Sequence, residues 1–496
     1  MIHPRFTLRS FLVRGLLGTA LCAPLAVACD DDGDGDDDAS AGEGGSKAGR
    51  GGSAGAGTSG KGGGSGRGGS GSGGTAGMAA GAAGEGAGDA GEGGTSTDAG
   101  AGGEGPSGAG GVAGDGAAGE SSAGEGGAAG GGGDGPNVFR PELRPFTDEL
   151  FESLDVPTGF TLNVYARDLG HARMLGVHGG HVYLTRPMQG DVLRFVDAAA
   201  DGVAESTVTV ASALPNVHGI AFSGSSVFLA TDKRVIKGTI NASGDFEGLA
   251  DIVTDLPDGG QHPYRTLGVG PDALLYVSVG SSCDACAETN PEHATILRMG
   301  LDASARAVFA RGLRNTIGFD WAPGTNELWG MDHGSDMRGD DLPPEELNRI
   351  EAASDYGWPY CYGDREIDPI IDDPPGMTKA TYCTNTKPSA LEFQAHGAPI
   401  GMVFYDGASF PAEYDGDAFV ALHGSWNRFP PTGYKVVRVR FNGGEPIMAE
   451  DFVSGFLIED GAAQFGRPAG IAVAPDGALL FTDDDNGMVY RVSPTE

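Results

Sequence analysis

The chain has 496 residues, 89 of them glycine, and a formal net charge of −36 from 68 acidic and 32 basic residues. Such an acidic chain is a poor partner for nucleic acid, because phosphate recognition needs a basic surface. Most of the glycine lies between residues 30 and 136, so the part able to bury a large core is roughly residues 137–496.

The first 29 residues read MIHPRFTLRSFLVRGLLGTALCAPLAVAC, with arginines, then an apolar stretch, then small residues. This layout predicts a secretory signal, and it is too short and wrongly flanked for a membrane-spanning helix. LAVAC followed by a long polar segment resembles a bacterial lipobox, although an alanine stands three residues before the cysteine. We therefore expect Cys29 to be lipidated. The alternative is an ordinary cleavable signal in which Cys29 has no role.

Residues 30–136 consist largely of glycine, alanine, serine and acidic residues, almost without aromatic or branched side chains. They cannot bury enough apolar surface to offset the entropy of ordering, so this segment is predicted to be a disordered linker. As a flexible coil it would reach on the order of 50–60 Å. With a lipid on Cys29, the exported protein would be periplasmic or at the cell surface and would touch a membrane only through that anchor.

Four of the six cysteines lie beyond the linker, as the pairs Cys283 with Cys286 and Cys361 with Cys383. In an oxidising compartment, local pairs of this kind most simply form two disulfides. A metal site at the CxxC pair is the competing interpretation, but no second CxxC follows at a suitable spacing.

An apolar run, a turn and a second apolar run recur six times along residues 137–496, each with the β-branched and aromatic residues of a hairpin. Neighbouring copies begin about 45 to 85 residues apart, which leaves room for two further strands each. The copies are MLGVHGGHVYLTR, GIAFSGSSVFLAT, TLGVGPDALLYVSVG, TIGFDWAPGTNELWGMD, PIGMVFYDGASFPAEYDGDAFVALHG and AGIAVAPDGALLFTDD. Helical periodicity is scarce, and PPEELNRIEAA is the main exception.

Six units of four strands predict an all-β fold, a six-bladed β-propeller, which exposes only short sheet edges and surrounds a central channel with loops. A sandwich or a β-solenoid of similar strand content is the alternative. In a propeller, the residues that precede the innermost strands converge on the mouth of the channel.

The residues at those strand starts are polar beyond what a hydrophobic core requires. They are Arg173, His218, His262, Arg265, Arg314, Asn315, His396 and Arg467. A ring of cations suits a small ligand with several carboxylates, because guanidinium pairs with carboxylate through two parallel hydrogen bonds. A neutral histidine among them could accept a proton.

Several of these segments resemble the soluble glucose/sorbosone dehydrogenase family, with the L-sorbosone and pyranose dehydrogenase branch as the closest match. The resemblance covers about residues 145–494, and its most specific parts are the RN pair and DYGWP. The matching segments are QHPYRTLGVGPDALLYVSVG, GLRNTIGFDW, DHGSDMRGDDLPPEELNRIEAASDYGWPYCYG, HGSWNRFPPTGYKVVRVRF and GRPAGIAVAPDGALLFTDD. The resemblance implies a six-bladed propeller that binds pyrroloquinoline quinone (PQQ) and calcium at the channel mouth.

Carried over by position, the resemblance makes His262 the catalytic base, and Arg314 with Asn315 the pair that holds the quinone and polarises its carbonyl. Arg467 and His396 fall at further quinone contacts, and the same mouth holds His218, Arg265 and His423. Gly334 and Ser335 stand where backbone carbonyls ligate calcium. The oxygen-rich cluster of Asp336, Asp340, Asp341 and Glu345 is of the type calcium prefers, although a solvated acidic loop is an equal alternative.

Three positions depart from the glucose dehydrogenase branch, which therefore does not lend its sugar preference to this chain. An aspartate that assists the histidine there is replaced here by Ser281 and Ser282. A second arginine of the last unit is replaced by Ala469, and a lysine gives way to His423 or its neighbours.

The function predicted is oxidation of a sugar or sugar aldehyde, with electrons passed to an external acceptor such as a cytochrome or a quinone. Like-charge repulsion from Arg265 and Arg314 is expected to keep His262 neutral. The rival hypotheses are a calcium-dependent lactonase-type hydrolase on the same fold and a non-catalytic, surface-tethered binding propeller.

Overall fold

Hairpins dominate the computed structural model, which describes residues 138–257 and 260–495. These residues fall within the unit Ser122–Glu496, and Met1–Ser121 lies outside the described residues. The predicted signal, the lipidated Cys29 and the linker lie outside them as well. No described helix has the length and hydrophobicity needed to cross a membrane.

Six antiparallel sheets account for most of the described chain, and we number them I to VI in chain order. Sheet I contains Leu175–His178, His181–Arg186, Asp191–Val196 and Ser206–Ala211. Sheet II contains Gly219–Ser223, Ser226–Ala230, Val235–Ile240 and Phe246–Val253. Sheet III contains Leu267–Val269, Leu275–Val279, Thr295–Met299 and Ala307–Arg311, with Ser354–Asp355 added in parallel at its edge.

The second half of the chain repeats the arrangement. Sheet IV contains Thr316–Trp321, Leu328–Asp332, Glu345–Ile350 and Leu391–Phe393. Sheet V contains Pro399–Phe404, Ala418–Leu422, Lys435–Asn442 and Glu445–Val453. Sheet VI contains Pro468–Val473, Leu479–Asp483 and Met488–Pro494, and its fourth strand is Phe160–Ala166 from the other end of the described chain.

Smaller elements connect the sheets. Glu142–Leu143 pairs in parallel with Ala463–Gln464, which also pairs with Leu457–Ile458, and Cys361–Tyr362 pairs with Glu366–Ile367. The described helices are Asp148–Glu152 and Lys379–Cys383, with short 3₁₀ turns at Ala412–Tyr414 and Glu459–Gly461. The prediction of an all-β fold is confirmed.

The segment PPEELNRIEAA corrects the one helical expectation. Glu345–Ile350 is the third strand of sheet IV, paired with Leu328–Asp332 on one side and with Leu391–Phe393 on the other. Its two glutamates are buried and accept backbone N–H groups, Glu345 from Gly334 and Ala398 and Glu346 from Gly363. Strand pairing therefore overrides the helical propensity of these residues.

The first strands of all six sheets line one cavity of about 420 Å³, with Val177, Phe222, Val269, Phe319, Val403 and Val473 among its walls. The apolar core lies between neighbouring sheets. Tyr183 of sheet I packs with Leu229 of sheet II, and Phe160, Phe419 and Phe452 pack between sheets V and VI. The sheets are thus arranged around a common axis, with the strand starts gathered at one end of it.

Candidate functional site

Two buried aspartates fix the turns that enter sheets IV and VI. Asp332 ends the second strand of sheet IV, and its carboxylate accepts the N–H groups of Arg314 and Asn315, both at 2.8 Å. Asp483 holds the equivalent place in sheet VI and accepts the N–H of Arg467 at 3.0 Å. A register shift follows each of these strand starts, so the chain bends next to the candidate site residues Arg314, Asn315 and Arg467.

His262 is held by its Nδ1 atom. That atom lies 2.9 Å from the Ser281 hydroxyl and 3.1 Å from the Ser281 carbonyl oxygen. The hydroxyl donates its own proton to the carbonyl of Cys283 at 2.6 Å, so both Ser281 oxygens act as acceptors toward the ring. Nδ1 therefore carries the proton, and Nε2 of the neutral ring keeps its lone pair.

The environment of His262 keeps the imidazole neutral. Burial, with a further contribution from the Arg314 guanidinium, lowers the pKa of His262 to about 2. Burial also lowers the pKa of the neighbouring His333 to about 4, and Arg314 and Arg173 add to that effect. Repulsion from arginines, predicted from the sequence as the reason for a neutral His262, is the smaller cause, and burial is the larger one.

Arg314 is 3% exposed in its side chain, and its Nε and Nη2 atoms are held by Asp284 and Asp336. Its Nε donates to the Asp284 carbonyl at 2.8 Å, and its Nη2 donates to the Asp284 carboxylate at 2.8 Å and to Asp336 at 3.2 Å. Asn315 is buried beside it, where its Oδ1 and His262 both approach the Cα of Gly280. A side chain at position 280 would collide with His262.

A cavity of about 210 Å³ joins these groups. Its lining includes Gln261, His262, Arg314, His333, Gly334, Asp336, Glu345, His396, Ala398, Trp426 and Asn427. His396 has a positive φ of 69° and donates from Nε2 to the Gly339 carbonyl at 2.8 Å. At the rim, Phe139 donates its N–H to the Trp426 carbonyl at 3.1 Å, and Arg140 lies over the Trp426 ring.

A second polar cluster is centred on Asp484. Its carboxylate accepts from His423 at 2.8 Å and from the buried Arg173. Burial by itself would raise the pKa of Asp484, but His423 and Arg173 lower it below the usual range. Burial, with help from Arg467, lowers the pKa of His423 to about 3, so this imidazole is neutral.

Arg467 adjoins this cluster through backbone carbonyls. Its Nε donates to His423 and its Nη2 donates to Gly424, both at 3.0 Å, and its guanidinium lies over Tyr434. The peptide N–H of His423 donates to the carbonyl of Ala398, a lining residue of the 210 Å³ cavity. The Asp484 cluster and the cavity are therefore neighbours.

His218 and Arg265 precede the first strands of sheets II and III, and both side chains are fully buried. His218 is fully buried, stacks on Tyr264, and has an Nε2 atom without a hydrogen-bond partner in the described structure. Burial lowers the pKa of His218 well below its usual value. Arg265 donates to the carbonyls of His262 and Pro257, so it supports the loop that presents His262.

The proposed calcium ligands lie in one segment but do not converge. Asp336 accepts from Asn427 and Arg314. Arg428 donates to the Asp341 carboxylate and to the Asp340 carbonyl, while the Asp340 carboxylate accepts the N–H of Phe429. Glu345 accepts two backbone N–H groups, and burial raises its pKa to about 7. The carbonyls of Gly334 and Ser335 accept no hydrogen bond from the part of the chain that the structure describes.

Both predicted disulfides are confirmed, Cys283–Cys286 and Cys361–Cys383. Over residues 138–257 and 260–495, the one group of three or more potential metal ligands close together is Cys283, Cys286 and Glu288. Because both of its sulfurs form a disulfide, this group does not offer thiolates to a metal.

Sequence reasoning missed the acidic residues that organise the site, namely Asp284, Asp332, Asp483 and Asp484, and also His333. A signal for three of them was present. The second apolar run of two repeats ends in aspartate, as ELWGMD and LLFTDD, at the point where the hairpin pairs back to its strand start. Asp284 lies in an irregular loop, whose contacts no sequence periodicity predicts.

A model of the family described as TrAA12-like matches residues 154–495. The chain therefore belongs to the TrAA12-like family. Its relatives include PQQ-dependent pyranose and sugar dehydrogenases, which confirms the resemblance seen in the sequence.

Individual comparisons agree with this assignment. A PQQ-dependent sugar dehydrogenase of Hypocrea jecorina is 25% identical over 331 residues, 55% of this chain and 73% of that protein. A PQQ-dependent pyranose dehydrogenase of Coprinopsis cinerea is 32% identical over 170 residues, which cover 27% of this chain and only 22% of that protein. The structure of the holo PQQ domain of Coprinopsis cinerea pyranose dehydrogenase has a TM-score of 0.59 at 21% identity, and covers 71% of this chain and 98% of that domain. That structural likeness shows a shared fold.

Proposed function

We propose that this chain is a PQQ-dependent sugar dehydrogenase built on a six-bladed propeller, with sheets I to VI as the blades. In this proposal a sugar or sugar aldehyde binds at the 210 Å³ cavity, and electrons leave to an external acceptor such as a cytochrome or a quinone. Family membership supports the class of reaction, and the arrangement of His262 supports the place.

The observation that carries the proposal is the contact of His262 Nδ1 with Ser281, which leaves the Nε2 lone pair of the neutral ring free at the cavity. With Nδ1 engaged by Ser281 and the pKa lowered to about 2, the ring is a neutral base across the physiological pH range. Such a base takes the hydroxyl proton of a bound sugar at Nε2, a role that typically contributes 10²–10⁴-fold.

The donor set fits a planar ligand with several carboxylates. Arg467 and Arg314 supply guanidinium groups, and the buried His218 Nε2 and Arg173 Nε have no partner among the described residues. Asn315, His396, His423 and Arg265 complete the set that would hold or support PQQ. When bound, PQQ supplies the two-electron oxidant that no side chain offers.

For calcium, the carbonyls of Gly334 and Ser335 are the fitting ligands. They are hard oxygen donors without another partner in the described structure, beside the cavity. Asp336 lies next to them, whereas Asp340, Asp341 and Glu345 are taken up by Arg428 and by backbone N–H groups. Calcium at this position would be coordinated mainly by the main-chain carbonyl oxygens of Gly334 and Ser335.

The hydrolase hypothesis needs several carboxylates and amides around one axial metal. The channel cavity of the described chain is instead walled by apolar inner strands, with Asp320 and Asp406 as its acidic members. A binding propeller without catalysis would not need a base at the cavity.

The test is reconstitution. Purified protein, treated with a chelator, is titrated with PQQ and calcium while dye reduction is followed with a panel of aldoses, pyranoses and sugar aldehydes. We expect turnover that requires both additions, and binding of PQQ that is visible as a change in its absorbance. Stable protein that binds no PQQ, or that binds it and oxidises none of these substrates, would contradict the proposal.

A further inference from the structure

The loop of residues 281–286, which we call the disulfide loop, contacts both His262, the candidate base, and Arg314, the candidate cofactor-polarising residue. Its first residue, Ser281, holds the Nδ1 atom of His262. Its fourth residue, Asp284, receives two hydrogen bonds from Arg314, at 2.8 Å each. Ser281 also donates its own peptide N–H to the Arg314 carbonyl at 2.7 Å.

The disulfide loop is itself held at several points. Cys283 and Cys286 close it covalently. The backbone N–H and hydroxyl of Ser282 both donate to Glu288, at 2.6 and 2.7 Å, and the Ser282 carbonyl accepts from Gln261. Asp284 further accepts the peptide N–H of Asp336 at 2.7 Å. A loop restrained in this way can fix the groups that it touches.

The direction of the hydrogen bonds at Ser281 matters for chemistry. The Ser281 hydroxyl donates its hydrogen bond to the Cys283 carbonyl, so toward His262 Nδ1 it can act only as an acceptor. The position of the Cys283 carbonyl, set by the closed loop, thereby orients the hydroxyl. The hydroxyl in turn favours the imidazole tautomer whose lone pair is on Nε2.

We propose that the disulfide loop is a positioning element for the base, in which Ser281, oriented by the Cys283 carbonyl, aligns His262 and selects its tautomer. The proposal rests on the proposed function for its catalytic meaning, but the alignment of His262 is a property of the protein alone. Ser281 is fully buried and is not among the residues that line the cavity, so it is a positioning residue. It does the work of a carboxylate without adding a charge to the cavity.

The first test compares Ser281→Ala with Ser282→Ala. Ser281 and Ser282 are adjacent, yet only Ser281 contacts His262, while Ser282 binds Glu288. Histidine side chains labelled with ¹⁵N report the tautomer of His262, which is assigned by loss of its signals in His262→Gln. We expect Nδ1–H in the wild type and in Ser282→Ala. In Ser281→Ala we expect a shifted or exchange-broadened Nδ1–H signal, because the hydroxyl acceptor is lost while the backbone carbonyl of residue 281 remains.

The second test is kinetic. In the reconstituted enzyme, Ser281→Ala should lower kcat by about 10-fold with little change in KM, because one hydrogen bond to the base is lost. Ser281→Thr, which keeps the hydroxyl, should retain the wild-type imidazole signals. The double variant Cys283→Ser/Cys286→Ser should reproduce the spectrum of Ser281→Ala.

The two readouts separate the inference from the function on which it rests. Unchanged imidazole signals in Ser281→Ala would overturn the positioning role, even if kcat falls. Altered signals in a protein that oxidises no sugar would keep the alignment by Ser281 and reject the proposed function. Equal effects of Ser281→Ala and Ser282→Ala on the imidazole would also overturn the inference.

Discussion

At the scale of single residues, the site depends on imidazoles that are kept neutral by burial. His262, His333 and His423 all have a pKa lowered into the range of about 2 to 4. Desolvation disfavours the charged ring, and the surrounding guanidinium groups add to it. The mouth therefore combines permanent cations with neutral bases, which is a useful combination for proton abstraction from a hydroxyl.

Removal of the base should affect turnover more than binding. In His262→Ala, we expect turnover to fall by about 10²-fold or more while PQQ binding stays near wild type, because the base is lost and little else. Dye-linked kinetics and absorbance titration measure the two quantities. His178→Ala is a matched control, since His178 stacks on Phe222 and is not among the residues that line the 210 Å³ cavity. Wild-type turnover in His262→Ala would exclude this histidine as the base.

The pH profile follows from the same lowered pKa. A histidine base works when deprotonated, and a pKa of about 2 keeps His262 deprotonated at all pH values where the protein is used. We expect kcat/KM to show no acid limb near pH 6.5, the ordinary histidine value. Rates between pH 5 and 8, with folding monitored in parallel, check this. A limb with an apparent pKa near 6.5 that vanishes in His262→Gln would refute it.

At the scale of elements, acidic residues connect neighbouring sheets. Asp320, in the first strand of sheet IV, accepts the N–H of Phe404 in sheet V at 2.8 Å. Burial raises the pKa of Asp320 to about 6, with Asp406 adding to the effect. Because the folded pKa lies above the unfolded value of about 3.9, the protonated form stabilises the fold at low pH. That contribution is lost as pH rises through about 6.

Asp320→Asn should remove this dependence. The free energy of unfolding of the wild type minus that of Asp320→Asn is expected to fall between pH 4 and 7, by about 1.4 kcal/mol for each unit of pKa shift. Urea unfolding at several pH values gives the difference. In an Asp406→Asn background, which lacks only the neighbouring charge, the pKa of Asp320 is raised less. The same difference in unfolding free energy should therefore fall less steeply with pH. A difference that rises with pH would have the wrong sign.

The disulfide Cys361–Cys383 links the segment after sheet IV's third strand to the helix Lys379–Cys383. It closes a loop of sequence separation 22, for which chain entropy predicts about 3 kcal/mol of stabilisation. We expect Cys361→Ser/Cys383→Ser to lower the free energy of unfolding by about 3 kcal/mol, measured by denaturant unfolding. Cys283→Ser/Cys286→Ser, with a separation of 3, should cost about half as much by the same relation. Equal losses in both variants would contradict the entropic account.

At the scale of the whole molecule, repeat counting predicted the all-β fold and the first hairpin of each sheet, because period-2 hydrophobicity and turn residues are local signals. It also located His262, Arg314 and Arg467, since each precedes a recognisable strand. Local signals could not show that Glu345–Ile350 is a strand, because its extended conformation depends on pairing with the two neighbouring strands of sheet IV. Nor could they place Asp284 against Arg314, since that contact joins an irregular loop to a distant turn.

The predicted lipid anchor concerns residues outside the described structure. If Cys29 is acylated, the protein should partition with membranes, and Cys29→Ser should release it or block its maturation. The matched control is Cys22→Ser, which leaves the lipobox cysteine in place. Fractionation and the mass of the mature N-terminus measure the outcome. A free, unmodified terminus with all protein in the soluble fraction would show an ordinary cleavable signal.

Sheet VI is assembled from the two ends of the described chain, with Phe160–Ala166 beside Met488–Pro494. A ribosome or a translocation pore delivers the first of these strands long before the second. Until the last segment emerges, Phe160–Ala166 lacks its neighbour and the nascent protein has an open, sticky edge. Holdase protection should therefore be needed from the emergence of Phe160–Ala166 until the chain is complete, and a premature stop near residue 488 should be recognised by quality-control proteases as readily as a much earlier one.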